Sequence, residues 1–321
     1  MAWIIGIDEA GYGPNLGPFV MSAVAFRVPD DVAHTDLWTL LAKAVERCSA
    51  EGDPRLSVDD SKKVYSPGKG IEELERCVLA SLAGSLLQDE FTLHGWLDDL
   101  AAGAWPGDAR LPWYTADRAL PIVAARARLE ESANLFQTCC QENNVGLAKV
   151  HTFILEPEPF NRTLDRWGTK GAALAQGLQV LLPLIVDAAE PMQAVHFLID
   201  KHGGRNTYSA MLQHTFPEAL VVARRESMEC SLYEVRGGSC PISLRFQPRA
   251  DGEHFCVALA SMLSKYLREV LMQDLNRFWQ ERLPGLKPTA GYASDAPRFY
   301  EAIRPTAEKM GLAADVLWRR K

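Results

Sequence analysis

Two apolar runs in this chain end in carboxylates. Trp3-Ile4-Ile5-Gly6-Ile7 runs into Asp8 and Glu9, and Val195-His196-Phe197-Leu198-Ile199 runs into Asp200. Short apolar runs of this kind read as buried strands. Acids at strand ends of an α/β sheet stand where such sheets usually bind ligands. Gathering several carboxylates in one place is costly unless a cation neutralises them, and an oxygen-only donor set favours Mg²⁺ or Mn²⁺ over zinc. Taken one at a time, each acid reads better as a helix cap or a solvated side chain; their recurrence is what points to metal.

After the first acidic pair comes the turn Gly11-Tyr12-Gly13-Pro14-Asn15-Leu16-Gly17-Pro18. It superficially resembles a dinucleotide-binding loop. Two acids precede the glycines, however, and Pro14 and Pro18 remove donors that would cradle a pyrophosphate. The glycines permit positive φ in a tight turn, or let backbone approach a substrate. A polar loop, Asp59-Asp60-Ser61-Lys62-Lys63, and the segment Lys201-His202-Gly203-Gly204-Arg205 add cations. The second could hold phosphate through backbone N–H groups and Arg205. Lone lysines, and a lone loop histidine such as His202, more often belong to solvated surface.

The elements that must position these groups follow from the apolar pattern. Residues 3–8 and Phe19 to Val28 read as two strands joined by a short turn, which suggests that they pair. Helices are expected over Asp36–Cys48, about Ile71–Leu87, about Pro121–Glu142, Lys170–Asp187, from Asn206 to His214 and about Glu253–Arg282, with a helical C-terminal tail. Further strands are expected over Val145–Leu155, Val195–Asp200, Ala219–Ala223, Ser231–Val235 and Ile242–Phe246. Strands alternating with helices indicate an α/β fold. The stretch from Asp89 to Pro121, with Trp96, Trp105 and Trp113, reads as an irregular inserted subregion whose tryptophans form a small core of their own. One elaborated domain over residues 1–321 is preferred to two.

Composition bounds the function. The 321 residues carry a formal charge of −7, unlike a generic nucleic-acid coat protein, whose footprint would be strongly basic. From Lys201 to Arg249 seven basic residues face four acidic ones, a local reversal. The seven cysteines are scattered without a Cys-x-x-Cys pair, as expected of reduced thiols in a cytoplasmic protein. Histidines show no metal spacing, so a structural zinc is not expected. The N-terminus has no basic region of a signal peptide, and no apolar run approaches the ~20 residues of a membrane span.

Several motifs in order resemble the type 2 ribonucleases H (ribonuclease HII and HIII). Ile7-Asp8-Glu9-Ala10-Gly11-Tyr12-Gly13-Pro14 with Gly17-Pro18, then Asp60-Ser61-Lys62-Lys63, is similar to the opening of that family. Asp200 follows an apolar strand as the family's third acid does. Ala258-x-Ala260-Ser261-Met262-x-x-Lys265-x-x-Arg268-Glu269 is similar to its Ala-Ser-Ile-x-Ala-Lys-x-x-Arg-Asp helix, and Gly291-Tyr292 to its C-terminal Gly-Tyr segment. The family's Gly-Arg-Gly loop is Gly11-Tyr12-Gly13 here, and the glycine it usually has after the third acid is replaced by Lys201-His202.

The resemblance implies a ribonuclease H-like mixed β-sheet flanked by helices, with an insertion at about 89–121. It implies that Asp8, Glu9, Asp200 and Glu269 bind two Mg²⁺ or Mn²⁺ ions and are catalytic. Gly11, Tyr12, Gly13, Ser61, Lys62, Lys63, Lys265 and Tyr292 then contact substrate, together with Arg205. The activity implied is two-metal hydrolysis of the RNA strand of an RNA–DNA hybrid or RNA-containing duplex DNA, leaving 5′-phosphate and 3′-hydroxyl ends. Glu269, where most ribonuclease HII sequences have Asp, leans toward ribonuclease HIII. Two other readings stay open: a non-catalytic nucleic-acid-binding protein on the same fold, and a related metal nuclease with another substrate. No membrane partner is expected.

Overall fold

Two apolar runs on either side of a glycine- and proline-rich turn pair as antiparallel strands. In the computed structural model these are β1 (Ala2–Ala10) and β2 (Phe19–Val28), in register from Ala2–Val28 to Ala10–Val20. All residues are described except 51, 66–67, 69, 83–90, 104–110, 115–116 and 321.

The chain continues through α1 (Leu37–Leu40), β3 (Val45–Glu46), β4 (Leu56–Ser57), α2 (Ser61–Val64), α3 (Glu72–Leu82), α4 (Leu93–Leu100) and α5 (Arg126–Glu142). Then come β5 (Gly146–Leu155), α6 (Pro157–Trp167), α7 (Gly171–Ala188), β6 (Val195–Asp200), α8 (Ser209–Thr215), β7 (Leu220–Glu226), β8 (Ser231–Arg236) and β9 (Ile242–Gln247). The 28-residue α9 (Phe255–Arg282), α10 (Ala296–Lys309) and α11 (Ala314–Leu317) close the sequence.

Seven strands form one mixed sheet in the order β5-β2-β1-β6-β9-β8-β7. β6 lies parallel to β1 and to β9, and the other neighbours are antiparallel. Alternation divides the sheet's side chains between two cores. Trp3, Ile5, Ile7, Phe197 and Ile199 pack with Leu174, Leu178 and Leu181 of α7 on one face. Ala2 and Ile4 turn to the other face, where α9 lies against β1. Gly6 sets that approach: a Cβ there would collide with the Cys256–Val257 backbone. Contrary to the expectation that no apolar run approaches a membrane span, helix α7 is long and apolar enough by composition alone to cross one; one side of it packs on β2 and β5.

The long helix expected over Asp36–Cys48 is one turn only. Asp36 caps it by accepting from Trp38 N–H. The chain then gives its backbone groups to β4: Leu56 N–H donates to the Ala44 carbonyl and Val58 N–H to that of Glu46. The Asp59–Lys63 loop contains the short α2, capped by Asp60. Helix α6, not expected from the sequence, starts directly after β5 although it opens with Pro157 and Pro159: Pro157 occupies the first turn, where no N–H is needed.

The inserted region is also more regular than expected, and its tryptophans join the main core. Trp96 on α4 lies 6.3 Å from the Tyr266 ring, and Trp113 lies 6.0 Å from Phe278. Trp105 falls outside the described residues. Buried Glu75 of α3 ties this region down, accepting from the N–H groups of Ile122, Val123 and Ala124 and from Tyr266 Oη, each at 2.7 Å.

Candidate active site

The register between β1 and β6 places the acids. Ile7 pairs with Ile199 in the last parallel step, so Asp8 and Asp200 follow on neighbouring strands, whose spacing is about 4.8 Å. Both belong to the side-chain series that faces α9. Ser261 of α9 favours the charged form of the Asp8 carboxylate, and Ser264 Oγ donates to the Asp8 carbonyl at 3.1 Å. Glu9 points the opposite way, toward the loop after β6. Asp200 Oδ1 accepts from Ala250 N–H at 2.8 Å.

Two of the three carboxylates are perturbed by their neighbours in the trio, and all three by burial. Burial, then Glu9 and Asp200, push the Asp8 carboxyl well above its usual range. Burial and Asp200 push Glu9 up to about 7, against a smaller pull from Lys62. Asp200 is raised by burial, with Asp251 adding to it. Glu9 Oε2 is buried without a hydrogen-bond partner. Among the described residues, no group of three His, Cys, Asp or Glu side chains is arranged to hold a metal ion as it stands. The donors nevertheless fit a hard divalent cation: three oxygen anions disfavour one another in the absence of positive charge, and Glu9 Oε2 has lone pairs that no donor engages.

Glu269 stands apart from this trio. Tyr65 Oη donates to its Oε2 at 2.9 Å, Lys265 Nζ to its Oε1 at 2.5 Å, and Arg268 Nη1 lies 3.5 Å away. Along α9, Glu269 is about 12 Å of helical rise beyond Ser261. The pairing of Lys265 with Glu269, four residues on, is therefore a real ion pair, packed with Lys265 Nζ 4.6 Å above the Tyr65 ring.

The expected substrate contacts divide into open and occupied groups. A Cβ on Gly13 would meet nothing within 4 Å, so that backbone is open. Gly11 has φ +86°, and a Cβ there would lie 2.7 Å from Arg268 Cδ. Tyr12 is partly buried beside Glu9. Lys62 is exposed, and its charge reaches Glu9 and Asp251. Ser61 is buried, bonded to Ser261 at 3.2 Å. Lys63 is bound to Asp59 at 2.9 Å, and Arg205 Nε donates to the Thr207 carbonyl. Tyr292 is 44% exposed, with the Arg268 guanidinium 5.5 Å from its ring.

The glycine loop is clipped from behind by the C-terminal residues. Arg319 N–H donates to the Asn15 carbonyl at 2.7 Å, Asn15 Nδ2 to the Arg319 carbonyl at 2.9 Å, and Leu16 bridges Trp318. Asn15 N–H also donates to the Gly291 carbonyl at 2.8 Å.

A search of curated proteins finds Ribonuclease HII of Gluconobacter oxydans, 30% identical over 98 residues. Over those residues the chain is similar to a type 2 ribonuclease H. The match covers 30% of this chain and 47% of the relative, so it spans about half of that protein's length. No protein-family model matches the chain. Among solved structures, the PCNA:RNase HII complex from Archaeoglobus fulgidus is 16% identical with a TM-score of 0.42, covering 99% of this chain and 94% of that one. Bst-RNase HIII in complex with Mn²⁺ is 18% identical with a TM-score of 0.49, covering 99% and 66%.

Two residues near the site, Tyr65 and Asp251, escaped the sequence reading, and a third, His202, was read as solvated. Tyr65 follows the Lys62-Lys63 pair, but nothing in its spacing shows that it reaches Glu269. Asp251 joins the acids through the turn after β9. His202 is buried, not solvated, with Nε2 4.0 Å from Glu9 Oε2.

Proposed function

We propose that the protein is a divalent-cation-dependent endonuclease that hydrolyses the RNA strand of RNA–DNA hybrids, leaving 5′-phosphate and 3′-hydroxyl ends. The observation that carries this reading is the meeting of Asp8, Glu9 and Asp200 at adjacent strand ends, where Glu9 and Asp200 both raise the Asp8 carboxyl and Asp200 raises that of Glu9. The match to a protein named Ribonuclease HII supports it.

In this reading Asp8, Glu9 and Asp200 hold two Mg²⁺ or Mn²⁺ ions, and Glu269 joins them when it leaves Tyr65 and Lys265. Bound ions supply Lewis-acid charge at the scissile phosphate and lower the pKa of water there. The chain's own groups position the substrate. Lys62, exposed and facing the acids, meets a backbone phosphate. The open Gly13 backbone approaches a 2′-hydroxyl, the group that separates RNA from DNA. Tyr292 offers a face for stacking on a sugar. Ser261 and Ser264 fix Asp8 from behind.

The test is incubation with a labelled RNA–DNA hybrid and Mg²⁺ or Mn²⁺, beside Asp8→Asn. Cleavage by the parent alone is expected; no cleavage, or equal cleavage by the variant, rejects the reading. A second reading, a non-catalytic nucleic-acid binder, is favoured by one observation: Glu269 is satisfied by Tyr65 and Lys265 away from the other acids. Calorimetric titration showing no uptake of Mg²⁺ or Mn²⁺ would support it.

A further inference from the structure

The loop after β6 brings an imidazole to the acids. His202 is only 7% exposed, and its Nε2 faces Glu9 Oε2 at 4.0 Å. That separation is too long for a hydrogen bond. Glu9 Oε2 and the Nδ1 of His202 are both buried without partners. The His202 ring stands edge-on to Tyr208 at 6.2 Å; Tyr208 is stacked on Phe246 at 3.8 Å, and its backbone N–H donates to Tyr233 Oη at 2.8 Å. Neither nearby loop cation turns toward the gap. Lys201 Nζ is spent on Asn206 and the carbonyls of Ser227 and Met228, and Arg205 on the Thr207 carbonyl.

We propose that His202 Nε2 is a ligand to a divalent cation held by Glu9 with Asp8 and Asp200, and that this nitrogen biases the site toward Mn²⁺ over Mg²⁺. The inference rests on the proposed metal-dependent function and adds a residue to it. A gap of 4.0 Å is about twice an ordinary metal–imidazole bond of ~2.0–2.1 Å, so one ion can touch both sides of it after small side-chain movements. Mg²⁺ prefers oxygen and water, whereas imidazole suits the transition ions. An all-carboxylate site would discriminate less between the two.

The test reads the metal, not turnover. Mn²⁺ is added to the full chain, and pulsed electron paramagnetic resonance looks for nitrogen coupling; calorimetry gives Mn²⁺ and Mg²⁺ affinities for the parent and His202→Gln. The expected result is nitrogen coupling in the parent that vanishes in the variant. Mn²⁺ binding should weaken about tenfold or more, with Mg²⁺ binding unchanged. Absence of coupling in the parent, coupling that persists in the variant, or equal weakening of both ions overturns the inference. Should His202→Gln not fold by circular dichroism, His202→Ala and the parent spectrum decide. Mn²⁺ bound without nitrogen coupling by a protein that still cuts hybrids removes the histidine and leaves the nuclease reading standing. Nitrogen coupling in a protein that cuts nothing does the reverse.

Discussion

Tyr65 donates a hydrogen bond to Glu269 across 204 residues of sequence, at 2.9 Å. With Lys265 on the other oxygen, the carboxylate has partners for both of its atoms. An acid so satisfied has little reason to move unless a cation offers more. Tyr65→Phe removes one partner, a hydrogen bond to a charged group worth about 1.5–3 kcal/mol. The expected outcome is half-maximal cleavage at a Mn²⁺ concentration lower by about tenfold. A cation titration with an unchanged midpoint would mean that the tyrosine does not compete with the metal.

Asp8→Asn removes one charge from a trio that repels itself. In chelator, the folded state should gain about 1–2 kcal/mol while cleavage is lost. Thermal melts of parent and variant with and without Mn²⁺ check this. The parent should be the one that Mn²⁺ stabilises more.

The metal-free protein should depend on pH through two opposing groups. Glu9 is raised from 4.5 to about 7, so its folded form holds a proton that the unfolded chain has lost. Stability from it is full below about pH 4.5 and disappears as pH rises through 7. His202 is lowered from 6.5 to about 3 by burial and Arg205, so its contribution is present above 6.5 and lost as pH falls toward 3. Urea melts across this range should show Glu9→Gln flattening the alkaline side alone and His202→Gln the acid side alone.

Lys62 and Lys63 are adjacent in sequence and differ in employment. Lys62→Ala should raise KM for the hybrid and reduce the slope of log affinity against log salt by about 1. Lys63, held by Asp59, should change that slope much less. Binding measured at several salt concentrations separates them.

Gly6→Ala should destabilise by about 3 kcal/mol or more, because the new methyl group meets helix backbone and not a flexible side chain. Denaturant unfolding measures it, and cleavage should fall with the displacement of Ser261.

Much of this arrangement was legible in the sequence where chemistry and burial coincide. β2 and β6 have the expected limits because each is a mainly apolar run closed by turn residues or by an acid. The pairing of β1 with β2 followed from their short connection. Asp8, Glu9 and Asp200 could be read because an acid at the end of a buried run is unusual. What escaped depends on distant partners. Leu37, Leu41 and Val45 have helical spacing, but β4 takes over the backbone bonds beyond Leu41. Trp96 and Trp113 lie in polar sequence and find their apolar neighbours on α9. Glu269 carries the motif's acid, yet its resting position is decided by a tyrosine whose approach no local pattern encodes.

The clip between Trp318–Arg319 and Asn15–Leu16 also has a bearing on synthesis. The glycine turn is fastened by residues about 304 positions further along the chain. A nascent chain can therefore assemble most of its sheet while the turn beside the acids still awaits its fastening, and a protease cutting between the two partners just before Trp318 would return the finished protein to that earlier condition.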